Sequence, residues 1–397
     1  MNKEVLSYFR RVGNLLIVAY LFLIGFYTFY YIFIGEPVRG IQDVAVSDYT
    51  AFLTGGKLVA LGEGARLYDL ELQFEVQKEI LAPVEKVGLL PYRNPPFVAL
   101  FFVPFTKLNF VDGYQLFAIV NIILLSIATY LLMCLFPRIT TIRYWYLLPV
   151  TSLFGASVLA LGQVSSIVFL GVLIAYGFIR QGKDYMGGFA AALICVKPHF
   201  LLLIPFLFMA SKHKSKFLAG LALLGGFFFV MSVSISDLKF VMHYLSFLKN
   251  TENIMMASDP REMFSLYVLM EWMGFGKGVA YGANFFGYVV ALGYLVKREL
   301  LGKKLDTDMT LFFGVLITLV FSIHVFPQDL ILLLVPIFYL LSVNLERGRS
   351  FIFVEVVVLS LYFLPVLGVI GFAPFGSVWL LILSAVVGGE MLIHEKR

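Results

Sequence analysis

Charged residues, cysteine and tryptophan are all scarce in this chain of 397 residues. Asp, Glu, Lys and Arg together make up 14% of it, against about 25% in a soluble domain. No segment is long and polar enough to form a separate soluble domain, so we treat 1–397 as a single domain. The two cysteines, Cys134 and Cys195, lie in apolar stretches and say nothing about redox compartment. No spacing of ligand residues indicates a metal site, and we expect neither a metal nor a cofactor.

Apolar residues dominate what is present. They make up 60% of the chain, and the mean hydropathy is +0.91. Apolar stretches long enough to cross a bilayer core of about 30 Å recur along the whole length, whereas the alternating segments of a barrel are absent. The first stretch has no signal-peptide cleavage site and is interpreted as a retained helix. We therefore predict an all-α polytopic membrane protein.

Basic residues cluster in short loops, and these clusters set the predicted orientation. They are Lys3/Arg10/Arg11, Arg138/Arg143, Arg180/Lys183, Lys212/Lys214/Lys216, Lys297/Arg298/Lys303/Lys304, Arg347/Arg349 and Lys396/Arg397. The positive-inside rule places all of them in the cytoplasm, so the net charge of +5 reports orientation and not nucleic-acid binding. About twelve spans fit between them, with both termini inside: 14–34, 113–136, 143–160, 163–180, 185–197, 199–211, 217–235, 278–296, 308–325, 328–345, 350–368 and 374–393.

Several segments depart from simple spans. Residues 185–211 are short for two crossings and fit either a kinked pair or a re-entrant hairpin. Residues 37–112 form a first outer loop, with helices predicted at about 47–61 and 69–82. Within that loop, residues 95–110 are apolar, but a crossing there would invert the basic loops, so we predict an interfacial helix. A second outer loop, residues 236–277, contains amphipathic patterns such as Phe240–Leu245.

Polar residues gather at the outer ends of the predicted helices. They are Asp48, Arg93, Asn94, Gln163, Lys197, His199, His324, Gln328 and Asp329. Ionisable residues in a membrane are costly and by default indicate function. Several have a structural alternative: Asp48 as a helix cap, Arg93 as an interfacial anchor, Gln163 as a hydrogen-bond donor between helices, and His324 as an ordinary helix-end histidine. Asp69 is interpreted as a structural N-cap.

Short motifs follow one another in a recognisable order. They are Asp48 after the first helix, Gly62 to Asp69, Tyr92 to Pro96, Gly162-Gln163, Lys197-Pro198, and His324 to Leu330. In this order, over about residues 14–345, the chain resembles the GT-C glycosyltransferases, most closely glycosyltransferase family 87, which is alpha-1,2-mannosyltransferase-like.

The resemblance implies a function as well as a GT-C fold. It implies transfer of a mannose-like hexose or a pentose from a polyprenyl-phosphate donor to an extracytoplasmic lipid or glycan acceptor. The reaction inverts the anomeric carbon, with Asp48 as the general base. The other outer polar residues are then predicted to bind substrate: Arg93, Asn94, Gln163, Lys197, His199, His324, Gln328 and Asp329. The enzyme would lie in the cytoplasmic (inner) membrane among its lipids, with its active site outside and no nucleic-acid partner.

Two functions of other classes remain open on the sequence. A transporter or flippase of a lipid-linked saccharide would explain a bundle with Lys197 inside it, although no internal repeat is found. A non-catalytic assembly partner that keeps the fold is the other alternative. The presence of Asp48 argues against it. The sugar, the acceptor, the linkage, the oligomeric state and the role of the last two helices are not encoded in any motif.

Overall fold

The structure is a computed structural model that describes residues 18–35, 47–84, 88–141, 145–251, 260–302, 306–346 and 352–393. The terminal basic clusters lie outside these residues, as do Arg143, Lys303, Lys304, Arg347 and Arg349. The described chain is helical, and no strand occurs within it. The all-α prediction is confirmed for this part of the chain.

The first half of the chain contains helices of very different lengths. They are α1 (Val18–Gly35), α2 (Asp48–Ala60), α3 (Leu70–Leu81), α4 (Pro96–Leu100), α5 (Phe110–Leu135), α6 (Leu148–Thr151), α7 (Leu153–Leu161), α8 (Ser165–Arg180) and α9 (Asp184–Ala191). The predicted helices at 47–61 and 69–82 are α2 and α3. Asp69 is the N-cap of α3, where its Oδ1 accepts from the backbone N–H groups of Glu71 and Leu72 at 3.1 Å, as predicted.

The second half continues the same pattern. Its helices are α10 (Ile204–Ala210), α11 (Lys214–Ile235), α12 (Phe240–Thr251), α13 (Leu266–Trp272), α14 (Lys277–Leu300), α15 (Thr307–Phe321), α16 (Leu334–Glu346), α17 (Ile352–Val369) and α18 (Ala373–Ile393). Four described helices are long and apolar enough to cross a membrane, namely α1, α5, α11 and α14. The protein is a membrane protein by this measure, but the count of twelve spans is not confirmed, because many of the other apolar helices are shorter.

Short helical arms account for the difference. Residues 184–196 and 198–210 each form one arm of α-helical and 3-10 turns, broken at Lys197. The first residue of one arm and the residues just after the other are held together by Asp184, whose carboxylate accepts from the backbone N–H groups of Lys212 and His213. The two arms therefore start and finish at the same end of the bundle, with Lys197 at the far tip. A second such pair is α15 followed by the 3-10 turn Pro327–Leu333 and α16.

Glycines allow the closest helix contacts. A Cβ added to Gly188 of α9 would lie 1.9 Å from the carbonyl oxygen of Phe217, and one on Gly220 of α11 would lie 1.9 Å from that of Tyr185. Small residues at such crossings let two backbones approach closely, as in other membrane bundles. This contact fixes the arm of residues 184–196 against a long spanning helix.

The first outer loop is folded onto the bundle through its aromatic residues. Residues 95–110 form α4 and the 3-10 turn Val103–Lys107, so they make short helices as expected, and not a span. A Cβ on Gly56 of α2 would lie 2.7 Å from the backbone of Phe102, so α2 sits directly on this segment. Tyr49 of α2 is fully buried, with its ring 5.5 Å from that of Phe110 and 5.8 Å from that of Tyr114.

Candidate active site

Three turns between helices meet at one level of the bundle, away from its basic end. They are Gly162-Gln163 between α7 and α8, Lys197 at the tip of the short arms, and residues 322–326 between α15 and the 3-10 turn Pro327–Leu333. At the opposite end, the Arg180 Nε lies 3.4 Å from the Asp308 carboxylate. The three turns therefore lie on the side of the bundle away from this basic end.

The first turn depends on a glycine. Gly162 has φ +61°, a left-handed conformation in which glycine is favoured. A Cβ at this position would also come within 2.7 Å of the Tyr49 Cβ. Both the backbone conformation and the close contact therefore require glycine at position 162. The contact also sets the distance between α2 and the turn that carries Gln163.

Asp48 faces this turn. The N-cap of α2 is Ser47, so Asp48 does not cap its helix as the structural alternative suggested. Its carboxylate instead accepts a hydrogen bond from the Gln163 amide nitrogen. Burial raises the pKa of Asp48 above the ordinary value, although the Gln163 hydrogen bond and the positive charge of Lys197 act to lower it. A raised pKa makes Asp48 a stronger base than a surface carboxylate.

Lys197 and Asp329 form a buried ion pair. The Lys197 Nζ donates to Asp329 Oδ1 at 2.6 Å and to Ser165 Oγ at 2.8 Å, and the two charged residues are 6% and 1% exposed. Ser165 Oγ in turn donates to the same Asp329 oxygen at 2.9 Å. The other oxygen, Oδ2, accepts from the Phe326 backbone N–H at 3.2 Å and lies 3.7 Å from His199 Nε2.

The Arg93-Asn94 segment is held against the same tip by its backbone. The Arg93 carbonyl accepts from the Tyr244 hydroxyl at 2.8 Å, and the Asn94 carbonyl accepts from Tyr68 at 2.9 Å. The Asn94 side-chain amide donates to the Val196 carbonyl at 2.8 Å, next to Lys197. The first outer loop is thereby tied to the central short arms.

One cavity of about 2240 Å³ connects these groups. All nine residues proposed from the sequence line it: Asp48, Arg93, Asn94, Gln163, Lys197, His199, His324, Gln328 and Asp329. Asp69 is not among its lining residues. Much of its wall is apolar, from α1 through Tyr27 and Tyr31 and from α14 through Phe285, and Gly368 and Val369 at the end of α17 also reach it. The end of α17 therefore helps to enclose the cavity.

Among the polar residues of the site that the sequence analysis missed are Ser165 and Asn284. Ser165 bridges Lys197 and Asp329, and its place two residues after Gln163 was the one signal for it. Asn284 of α14 lines the cavity, is 6% exposed and donates to the Phe321 carbonyl at 2.5 Å. Its Oδ1 has no partner within the described residues. An amide inside an apolar span was the signal for Asn284.

Comparison with known protein families decides the class of the molecule. A family model, that of glycosyltransferase family 87, matches residues 92–327, which is more than half of the chain. The chain belongs to glycosyltransferase family 87. It is therefore a membrane glycosyltransferase, and the resemblance stated on its motifs is confirmed. No curated protein and no solved structure matches the chain.

The family match covers most of the cavity but not all of it. Arg93, Gln163, Lys197 and His324 lie within the matched residues, whereas Asp48 precedes them and Asp329 follows. The roles of these two carboxylates therefore rest on the geometry of the site. In the part of the chain that the structure describes, no group of three or more His, Cys, Asp or Glu side chains is placed to hold a metal ion.

Proposed function

We propose that this glycosyltransferase moves a mannose-like hexose or a pentose from a polyprenyl-phosphate donor to an extracytoplasmic hydroxyl acceptor, with inversion. One observation carries the proposal. A partly buried carboxylate, Asp48, and a buried ammonium, Lys197, line the same cavity but are engaged by different partners. An inverting transfer needs these two charges, one for the acceptor proton and one for the departing phosphate.

The reaction assigns a separate task to each side of the cavity. The Asp48 carboxylate accepts the proton of the acceptor hydroxyl as its oxygen attacks the anomeric carbon. The bond from that carbon to the phosphate oxygen breaks on the opposite face, and its electron pair leaves with the polyprenyl phosphate. Asp48 then returns its proton to water. Gln163 positions the carboxylate through its amide hydrogen bond.

Lys197 is suited to the departing phosphate. An ammonium group has three N–H donors, of which Asp329 and Ser165 use two. The third is left for a phosphate oxygen. Asp329 acts as a positioning residue because it holds the ammonium at the tip of the arms, and His199, His324, Gln328 and the Arg93-Asn94 segment complete this half of the cavity.

The depth of the site favours a donor anchored in the bilayer. At the basic end, Arg180 of α8 donates to the Leu135 carbonyl at the end of α5. Fourteen residues earlier on each of these two helices, the Ser166 hydroxyl of α8 donates to the Asn121 side-chain oxygen of α5. At 1.5 Å per residue, this level is about 21 Å from the basic end. Since α5 continues from Asn121 to Phe110, roughly 16 Å further, the cavity is recessed below the outer end of a spanning helix.

The proposed side of the membrane follows from the basic residues. Arg180, Lys212 and Lys214 lie at the end of the bundle opposite to the cavity. The positive-inside rule therefore favours an outward-facing active site in a cytoplasmic (inner) membrane.

The decisive experiment is a defined transfer assay in liposomes. Purified protein is given polyprenyl phosphates carrying mannose, glucose or a pentose, together with a glycolipid acceptor fraction, and products are identified by mass spectrometry. We expect transfer from one of these donors and a fall of roughly 10²–10⁴-fold in Asp48→Asn, because the amide is not a useful base. Asp69→Asn is the matched control, since it keeps a capping side chain in the same loop. Equal activity in Asp48→Asn and the native protein would refute the role of Asp48.

A further inference from the structure

Helix α12 of the second outer loop has three faces of different chemistry. Phe240, Tyr244 and Phe247 are buried against the rest of the protein. A second face is apolar but uncovered, with Met242 72% and Leu245 60% exposed, and Leu238 in the turn before the helix, 80% exposed, continues it. The third face is polar and exposed, and consists of His243, Ser246 and Asn250, preceded by Lys239 in the same turn. The spacing of the exposed apolar residues keeps them on one side of the helix.

The position of α12 brings this uncovered face to the bilayer. Only four residues separate the end of the spanning helix α11 at Ile235 from Phe240. The Phe240 ring packs on that of Phe229, with centroids 5.5 Å apart, and Phe229 is about two turns inside α11. Phe229 and Val230 are themselves 49% and 64% exposed, so the lipid-facing surface of α11 lies beside the start of α12.

We infer that α12 is seated in the outer leaflet, with Leu238, Met242 and Leu245 in contact with lipid and the polar face toward water. A helix that combines an apolar face with a lysine-bearing polar face lies in the plane of the membrane interface. Lys239 and Lys249 stand at its two ends, where their ammonium groups reach lipid phosphates while their stems stay apolar.

The same helix reaches the cavity on its buried face. Tyr244 donates to the Arg93 carbonyl at 2.8 Å, and the Tyr68 ring packs on those of Tyr244 and Phe247 at 5.2 and 5.1 Å. Leu248 also lines the cavity. Seating of α12 in lipid therefore positions the Arg93-Asn94 segment, so the membrane surface supports the geometry of the site.

Site-directed spin labelling tests the seating without any assumption about the substrate. Single cysteines are placed at 242 and 245 on the apolar face and at 243 and 246 on the polar face, with Cys134 and Cys195 replaced by alanine. The protein is reconstituted in phosphatidylethanolamine–phosphatidylglycerol liposomes. We expect labels at 242 and 245 to collide with oxygen, which concentrates in lipid, and labels at 243 and 246 to collide with a water-soluble nickel chelate.

Two outcomes overturn the inference. Nickel access at 242 and 245 would place the helix in water, and protection of both labels from both reagents would mean that protein covers this face. A second arm measures transfer: Leu245→Glu is expected to lower it about tenfold, the cost of moving one charge toward lipid, while Ser246→Glu leaves it unchanged. Equal transfer in the two variants would contradict the support of the site by α12. Failure of all transfer, with the expected labelling pattern, would count against the proposed donor alone.

Discussion

The buried pair of Lys197 and Asp329 allows stability and catalysis to be separated. Removing one partner of a buried ion pair leaves an uncompensated charge and costs about 3–5 kcal/mol, whereas replacing both by apolar residues is often neutral or stabilising. We therefore expect Asp329→Leu and Lys197→Met each to destabilise the protein, and the double variant to regain most of the lost stability. Transfer should not return in the double variant, because the ammonium at the phosphate is gone.

The contacts of each partner predict which single variant loses more stability. Without Lys197, the Asp329 carboxylate still accepts from the Ser165 hydroxyl and the Phe326 backbone N–H. Without Asp329, the Lys197 ammonium keeps only the Ser165 hydroxyl among its described partners. Asp329→Leu should therefore be the less stable variant, near the upper end of the range of about 3–5 kcal/mol.

Two measurements on the same preparations test this account of the ion pair. Thermal unfolding in lipid nanodiscs gives the order of stability. We expect the native protein and the double variant to be the most stable, Lys197→Met to be less stable, and Asp329→Leu to be the least stable. The liposome assay gives the rate, which should fall roughly 10²–10³-fold in the double variant, the usual effect of losing one group that stabilises developing charge. A double variant that transfers sugar at the native rate would show that Lys197 serves only the fold. A double variant less stable than both single variants would refute the account of the pair.

Three further predictions concern Asp48, the first turn and the orientation. The base must be ionised to act, and the pKa of Asp48 is raised above 3.8, so kcat/KM should fall tenfold per pH unit as the pH drops below that raised value. This acid limb of the pH profile should be absent in Asp48→Asn. Gly182→Ala, at φ +73° with open space around it, should lose about 1 kcal/mol. Gly162→Ala, at φ +61° with a Cβ that would lie 2.7 Å from that of Tyr49, should lose more stability and should also lose transfer. With the native cysteines replaced, a cysteine at 71 should react with an impermeant reagent outside cells, and one at 212 should not; the reverse would invert the orientation.

Local chemistry made the outer-loop helices predictable. Asp69 supplies a cap for α3, and the glycines after α2 and the proline after α3 end those helices within one or two residues of the expected positions. Such signals act between neighbours in the chain, so no knowledge of tertiary packing is needed to interpret them.

Pairing across the bundle was not predictable in the same way. Lys197 required an anion, but Asp48 and Asp329 both lay on the predicted outer side, and no spacing selects between carboxylates far apart in sequence. The choice is made by Ser165, which follows the Gly162 turn and is placed to bond both partners. The position of Ser165 depends in turn on the contact of Gly162 with Tyr49, which is a property of packing.

The short arms explain why the polar residues found on the sequence converge. An arm of residues 184–196 has eight α-helical and five 3-10 residues, which rise about 22 Å in total at 1.5 and 2.0 Å per residue. This is less than the hydrocarbon thickness of about 30 Å, so an arm that starts at the basic end must stop inside the membrane. A charged residue at such a tip has no water beside it unless other helices stop at the same depth and leave a cavity. The start of α8 and the 3-10 turn after α15 lie at this depth, where Ser165 and Asp329 are the partners of Lys197. The length of the apolar runs, and not only their composition, therefore carried the information that a polar site lay within the bundle.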